Sequence, residues 1–218
     1  MDGESVSLFR LGEQCNNDCP MCSNSGREEA FFQSTEELVS RVRFLAREGF
    51  RRVVVTGGEP TIHPGFWEII AALGEYDIAW DINTHGRTFA DEAFTTRARE
   101  AGLERAIVSL HSHIEEASCV ISGVKSRGHQ EAVTGIDRLV GSGAYVLVNL
   151  VVTTHNADHL QDFASFCWDR WGPAARLKIA FPSTTGKGGD WDGIQLRYSD
   201  VQDEVRATRT QAKSLGQE

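Results

Sequence analysis

Six times along this chain a short apolar run is followed by a polar, helix-period segment, and that alternation leaves few folds open. Residues 6–11 (VSLFRL), 52–56 (RVVVT), 78–83 (IAWDIN), 105–111 (RAIVSLH), 144–154 (AYVLVNLVVTT) and 175–181 (ARLKIAF) read as strands. Residues 34–48, 65–73, 90–101, 130–140 and 159–170 read as the helices between or after them. In the first helix Leu38, Val42 and Leu45 recur on one face, with Ser34 or Thr35 as the cap; Gly102 closes the third. Short apolar strands joined through helices imply a parallel sheet with right-handed crossovers. Two architectures fit: an open doubly wound sheet, and a curved barrel or partial barrel. A doubly wound dinucleotide site would place G-x-G-x-x-G after the first strand. Here the first loop carries cysteines instead, and the glycine pair follows the second strand.

Both architectures put their chemistry at the carboxyl ends of the strands. The cysteine loop and residues 57–60, 83–84, 109–111 and 153–154 all lie at or just beyond such ends. After Pro182 the character changes to a glycine-rich stretch, 184–193, and a polar helix, 199–215. The expected organisation is one core, 1–182, with 183–218 packing on it or extending it. The Gly186–Gly189 stretch resembles a phosphate loop only superficially, because no Ser or Thr follows Lys187 and no helix opens there. The final helix closes no obvious further unit, so a missing C-terminal segment fits the pattern.

Composition removes several classes of function. There are 22 basic against 31 acidic residues, a net charge of -9, which opposes general binding to nucleic acid. No apolar run approaches the roughly 18 residues of a membrane span. The N-terminus carries no signal-peptide pattern, so a reducing cytoplasm is the expected compartment. Five cysteines, an odd number, argue against a disulfide framework. Three of them form Cys15-x3-Cys19-x2-Cys22. Thiols this close gain most by sharing a metal centre. One candidate is a four-iron cluster with one iron left open. The other is a zinc loop completed by a distant ligand such as His63 or Cys119.

Together the motifs resemble those of the radical S-adenosylmethionine (SAM) superfamily. Cys15, Cys19 and Cys22 after the first strand look like its cluster signature. Thr56-Gly57-Gly58-Glu59-Pro60 after the second is similar to its GGE motif, and Asn83-Thr84-His85-Gly86 after the third resembles its ribose-contacting segment. The resemblance implies a partial (β/α)6 TIM-like barrel, a [4Fe–4S] cluster on the three cysteines, and SAM chelating the unique iron. It implies reductive cleavage of SAM to methionine and a 5′-deoxyadenosyl radical that abstracts hydrogen from a substrate. Gly57, Gly58, Glu59, Pro60, Asn83 and Thr84 are then cofactor-binding residues, with Ser109 and Asn149 as further polar contacts. Glu59 and main-chain carbonyls would accept from the SAM amino group. A flavodoxin or ferredoxin would supply electrons, and the cluster implies oxygen sensitivity.

Two positions depart from the pattern. Met21 stands where an aromatic residue against the adenine is commoner, and His85 replaces the usual asparagine, so Asn83 carries more of the ribose expectation. His111 and His113, two apart, are read as surface or substrate-lining histidines, with paired metal ligation as the sharper alternative. Cys119, in the loop after the fourth strand, is a candidate hydrogen donor or ligand of a further cluster; Cys167, beside Phe163 and Phe166, reads as core. The substrate expectation is a peptide, then a small metabolite or nucleotide-derived molecule. The different-class alternative is a non-catalytic iron–sulfur or zinc module.

Overall fold

The computed structural model describes residues 6–24, 31–183 and 196–216. Six strands, β1 (Val6–Arg10), β2 (Arg52–Thr56), β3 (Ala79–Thr84), β4 (Arg105–Ser109), β5 (Tyr145–Val151) and β6 (Ala175–Ala180), form one sheet. All neighbours are parallel and the order is sequential from β1 to β6. A doubly wound sheet reverses direction at a switch point; this one never does. Right-handed crossovers that always step the same way leave the helices on one face, so the sheet curls into a barrel. With β1 and β6 at opposite ends of the strand order, the barrel is partial.

The helix-facing row runs in register through Phe9, Val55, Ile82, Ala106 and Val146, all buried. It lies in one core with Leu38 and Val42 of α1 (Thr35–Arg47), Ile69 and Leu73 of α2 (Phe66–Glu75) and Ile136 of α5 (Ser126–Gly141). Each of these side chains but the smaller Ala106 contributes roughly 1.5–3 kcal/mol on burial. The next residue on each strand points to the opposite, concave face, where Thr56, Asn83, Ser109 and Asn149 project. The charge inside that face is matched: Asp81 takes Arg52 at 3.0 Å and Arg105 at 2.9 Å from its two flanking strands.

The elements follow local chemistry. Ser34 and Glu37 make a reciprocal capping box at the start of α1. Asp91 accepts from the Ala93 and Phe94 amides and starts α3 (Glu92–Glu100), two residues later than the periodicity suggests, because a 3₁₀ turn, Arg87–Ala90, comes first. β5 stops at Val151 rather than 154, since Thr153 turns back to donate to Asn156 Oδ1 at 2.7 Å. One element escapes the sequence reading altogether: α4 (Glu115–Ser122) carries Cys119, so that residue sits on a helix and not in a loop. α6 (Leu160–Trp171) buries Cys167 in the core as expected. α7 (Tyr198–Ser214) lies along α6, with Gln211 donating to Ser165 and Gln161 donating to Glu204. The phosphate-loop stretch 186–189 lies outside the described residues.

Candidate functional site

A cavity of about 290 Å³ opens at the carboxyl ends of the strands. Cys15, Cys19 and Cys22 line it together with Gly57, Gly58, Glu59, Asn83, Thr84, Ser109 and Asn149. Those ten residues come from four strand ends and the first loop, and the topology alone gathers them. Ser109 and Asn149 are register partners on β4 and β5. Two predicted residues stay outside: Pro60 is buried as the first residue of a 3₁₀ turn, Pro60–Ile62, and Cys119 does not reach the lining. Met21 does line it.

The cysteine loop is held from three sides. From β2, the Gly58 amide donates to Gly12 O at 3.0 Å and the Glu59 amide to Gln14 O at 2.8 Å. A Cβ on Gly58 would sit 2.2 Å from Gln14 O, so this glycine lets one loop close on the other. From β3, His85 Nε2 lies 2.6 Å from Asn16 Oδ1, while the Arg87 amide donates to its Nδ1. The Arg87 guanidinium donates to Asn16 O at 3.0 Å and Asn17 Oδ1 at 2.8 Å, and is itself anchored on Glu131 at 2.9 Å. From α4, Ser122 O accepts from Cys19 Sγ at 3.3 Å, and Gly123 packs where any Cβ would meet Asp18 O. His85, set aside as a ribose contact, is therefore a fastener of this loop.

Glu59 lines the cavity and is held by its own chain. It is 1% exposed. Its Oε1 accepts from the Thr61 amide, the Thr61 hydroxyl at 2.6 Å and the Thr84 hydroxyl at 2.8 Å; Oε2 accepts from the His85 amide at 2.8 Å. A carboxylate has about four acceptor positions. Four donors of its own chain meet it, three at Oε1 and one at Oε2.

The donor set suits a soft, multi-metal group. Burial pushes the Cys15 thiol up to about 11 and the Cys19 thiol up to about 12, so both hold protons that a metal would have to displace. Among the described residues no three His, Cys, Asp or Glu side chains close on a point suited to a single metal ion. Three thiols that line one cavity are the soft ligands an iron–sulfur cluster takes.

The histidine pair divides. His111 lines the cavity, whereas His113 turns onto Phe163, Phe166 and His159 of the α6 side. They do not form a shared metal site. Ser112, His159 and Asp158 follow one another at 3.1 and 2.8 Å, the order of an acyl-transfer triad. Ser112 is fully enclosed, so no acyl group reaches it. Residues the sequence did not single out include Asn24, whose side chain donates to Gly57 O at 3.0 Å, and Phe181 in the lining. Asn156 is another. It is wholly buried and donates to both His111 O and Val151 O. The T-T-H-N step after a long strand was its only signal.

Compared with known families, residues 9–167 match the one described as the radical SAM superfamily. Mycofactocin maturase MftC of Mycobacterium ulcerans is 29% identical over 197 residues, covering 89% of this chain and 52% of that protein. A probable GTP 3',8-cyclase of Pyrococcus horikoshii is 31% identical over 168 residues, covering 75% of this chain and 53% of that protein. Among solved structures, Streptococcus suis SuiB bound to S-adenosylmethionine matches with a TM-score of 0.75 at 17% identity, over 94% of this chain and 48% of that one. SuiB bound to the precursor peptide SuiA matches at 0.74. At such identities the likeness is one of fold. The chain spans about half the length of the curated relatives it matches.

Proposed function

This chain belongs to the radical SAM superfamily, and we propose that it carries the cluster- and SAM-binding core of an enzyme that abstracts hydrogen from a peptide. The observation that carries this reading is the gathering of Cys15, Cys19 and Cys22 with Gly57, Gly58, Asn83, Ser109 and Asn149 around one cavity. When bound, a [4Fe–4S] cluster and SAM supply one-electron cleavage of the sulfonium carbon–sulfur bond and a 5′-deoxyadenosyl radical for hydrogen abstraction. The chain's own part is to place and enclose. The three thiols hold the cluster; Asn83, Ser109 and Asn149 offer polar contacts to the nucleoside and methionyl parts of SAM. Met21 offers a polarizable edge to the adenine. Residues 1–182 form the working core, with 183–218 as its extension.

A peptide substrate is supported by the precursor-peptide complex of SuiB and by the maturase name of the mycobacterial relative. The 31% identity to a probable GTP 3',8-cyclase favours a nucleotide as the second reading. Electrons would come from a flavodoxin or ferredoxin in a reducing cytoplasm. No helix among the described residues is long and apolar enough to cross a membrane.

The test is anaerobic reconstitution with iron and sulfide, reduction with dithionite, and chromatography for 5′-deoxyadenosine after adding SAM. The intact chain should produce it and Cys19→Ala should produce none. Product from the variant, or none from the intact chain, defeats the reading. A colourless, redox-silent protein indifferent to SAM would be the binding module instead. Peptide and GTP arms, followed by mass spectrometry, separate the two substrate classes.

A further inference from the structure

His111 sits just beyond β4, is 3% exposed, and lines the cavity. The Val151 amide donates to its Nδ1 at 3.2 Å. That bond occupies the Nδ1 lone pair, so the ring proton is on Nε2. The backbone is pinned as well: Asn156 Nδ2 donates to His111 O at 2.7 Å and to Val151 O at 2.9 Å, so one buried amide fixes both the histidine and its partner. Burial alone pushes the imidazole down to about 4, and no charged side chain offsets it, so the ring is neutral at physiological pH. Its Nε2–H has no hydrogen-bond partner among the described residues. Because His111 lines the cavity, an acceptor that a ligand places there can pair with this donor.

The lining narrows the acceptor. Among the described residues none of the side chains around the cavity is a lysine or arginine. SAM brings an ammonium and a sulfonium with its own carboxylate, but a lone carboxylate or phosphate brought to His111 would be desolvated without a cation to meet it. An amide oxygen carries no such requirement, and a neutral N–H is its ordinary partner. We propose that His111 is the cavity's substrate-positioning donor, its Nε2–H pairing with a backbone carbonyl of a peptide substrate. This rests on the peptide reading given above, and it adds the group that recognises the substrate.

The experiment is NMR on the full chain labelled with ¹⁵N in its histidine rings, titrated with acetyl-triglycine amide and, separately, with acetate. The imidazole identified by its loss in His111→Phe should be in the Nε2–H form and keep that form over about pH 5 to 8. Its Nε2–H signal should move saturably with the blocked peptide and not with acetate. His111→Phe should lose the signal and bind the peptide about 3- to 10-fold more weakly, the size of one neutral hydrogen bond. His111→Gln, able to accept from Val151 and still donate, should recover part of that loss. A proton on Nδ1, titration near neutrality, or a signal indifferent to the peptide overturns the proposal, and so does one that answers acetate instead. Failure of the parent reading shows separately, as an intact, reconstituted chain that yields no 5′-deoxyadenosine whatever the NMR result.

Discussion

Glu59 shows how one buried carboxylate can organise the wall of a site. With four donors converging on two oxygens, its charge is matched by the Thr61, Thr84 and His85 groups. Glu59→Gln would turn an NH₂ group toward one of those donors. The expected cost is about 2–3 kcal/mol of stability, measured by urea unfolding of the unloaded chain. Thr84→Val removes one donor to Glu59 and the acceptor of the Gly86 amide, and should cost about 1–2 kcal/mol; equal stability of all three proteins would show that the network carries nothing. His111 makes the second residue-scale expectation. Its folded value lies near 4 against about 6.5 unfolded, so the unfolded chain binds more protons between those limits. Stability is then full above about pH 6.5 and falls as pH drops toward 4, by up to roughly 3 kcal/mol. Urea midpoints at pH 7.5 and pH 5 should differ less in His111→Gln than in the parent, and an unchanged acid limb would contradict this.

At the scale of elements, the cysteine loop owes its shape to segments far away in sequence. His85 reaches it across 69 residues and Arg87 across 71. Arg87 is the tie between the loop and α5, because the same guanidinium holds Asn16, Asn17 and Glu131. Arg87→Gln should leave the fold intact but let a reconstituted cluster lose iron several-fold faster to a chelator, followed by the decay of visible absorbance. Arg87→Lys, a point charge without the fork, should restore only part of the protection. Decay no faster than in the parent would mean the loop is held by its β2 contacts alone. These ties explain what the sequence concealed. The cysteine spacing, the glycine pair and Asn83 are local signals and could be read directly. The latch residues His85, Arg87 and Asn156 act through partners 40 to 70 positions away. Helix α4 was hidden for a local reason: its Ncap, Ile114, supplies no capping side chain, so nothing announces where it begins.

The whole molecule was more legible than its site. A βα rhythm of short strands admits few arrangements, and a first loop carrying cysteines instead of a dinucleotide fingerprint pointed away from the doubly wound one. What the rhythm did not convey was how the two ends of the sheet are finished. Among the described residues β1 pairs only with β2 and β6 only with β5, while β3 and β4 are bonded on both sides. On β1, Leu8 is 75% exposed although it lies within a strand. β6 instead has α7 beside it, with Val205 packed against the core and Leu177 and Ile179 sharing a groove with it. An edge strand leaves half its amides without a ladder partner, and local opening needs fewer bonds to break. Hydrogen exchange monitored by mass spectrometry should therefore be slowest in peptides from β3 and β4. It should be faster in β6, which α7 flanks across that groove, and fastest in β1, which has no such neighbour among the described elements. Protection of β1 equal to that of β3 in the isolated chain would mean that something pairs with its free edge, and the barrel would then have to be redrawn as more nearly closed.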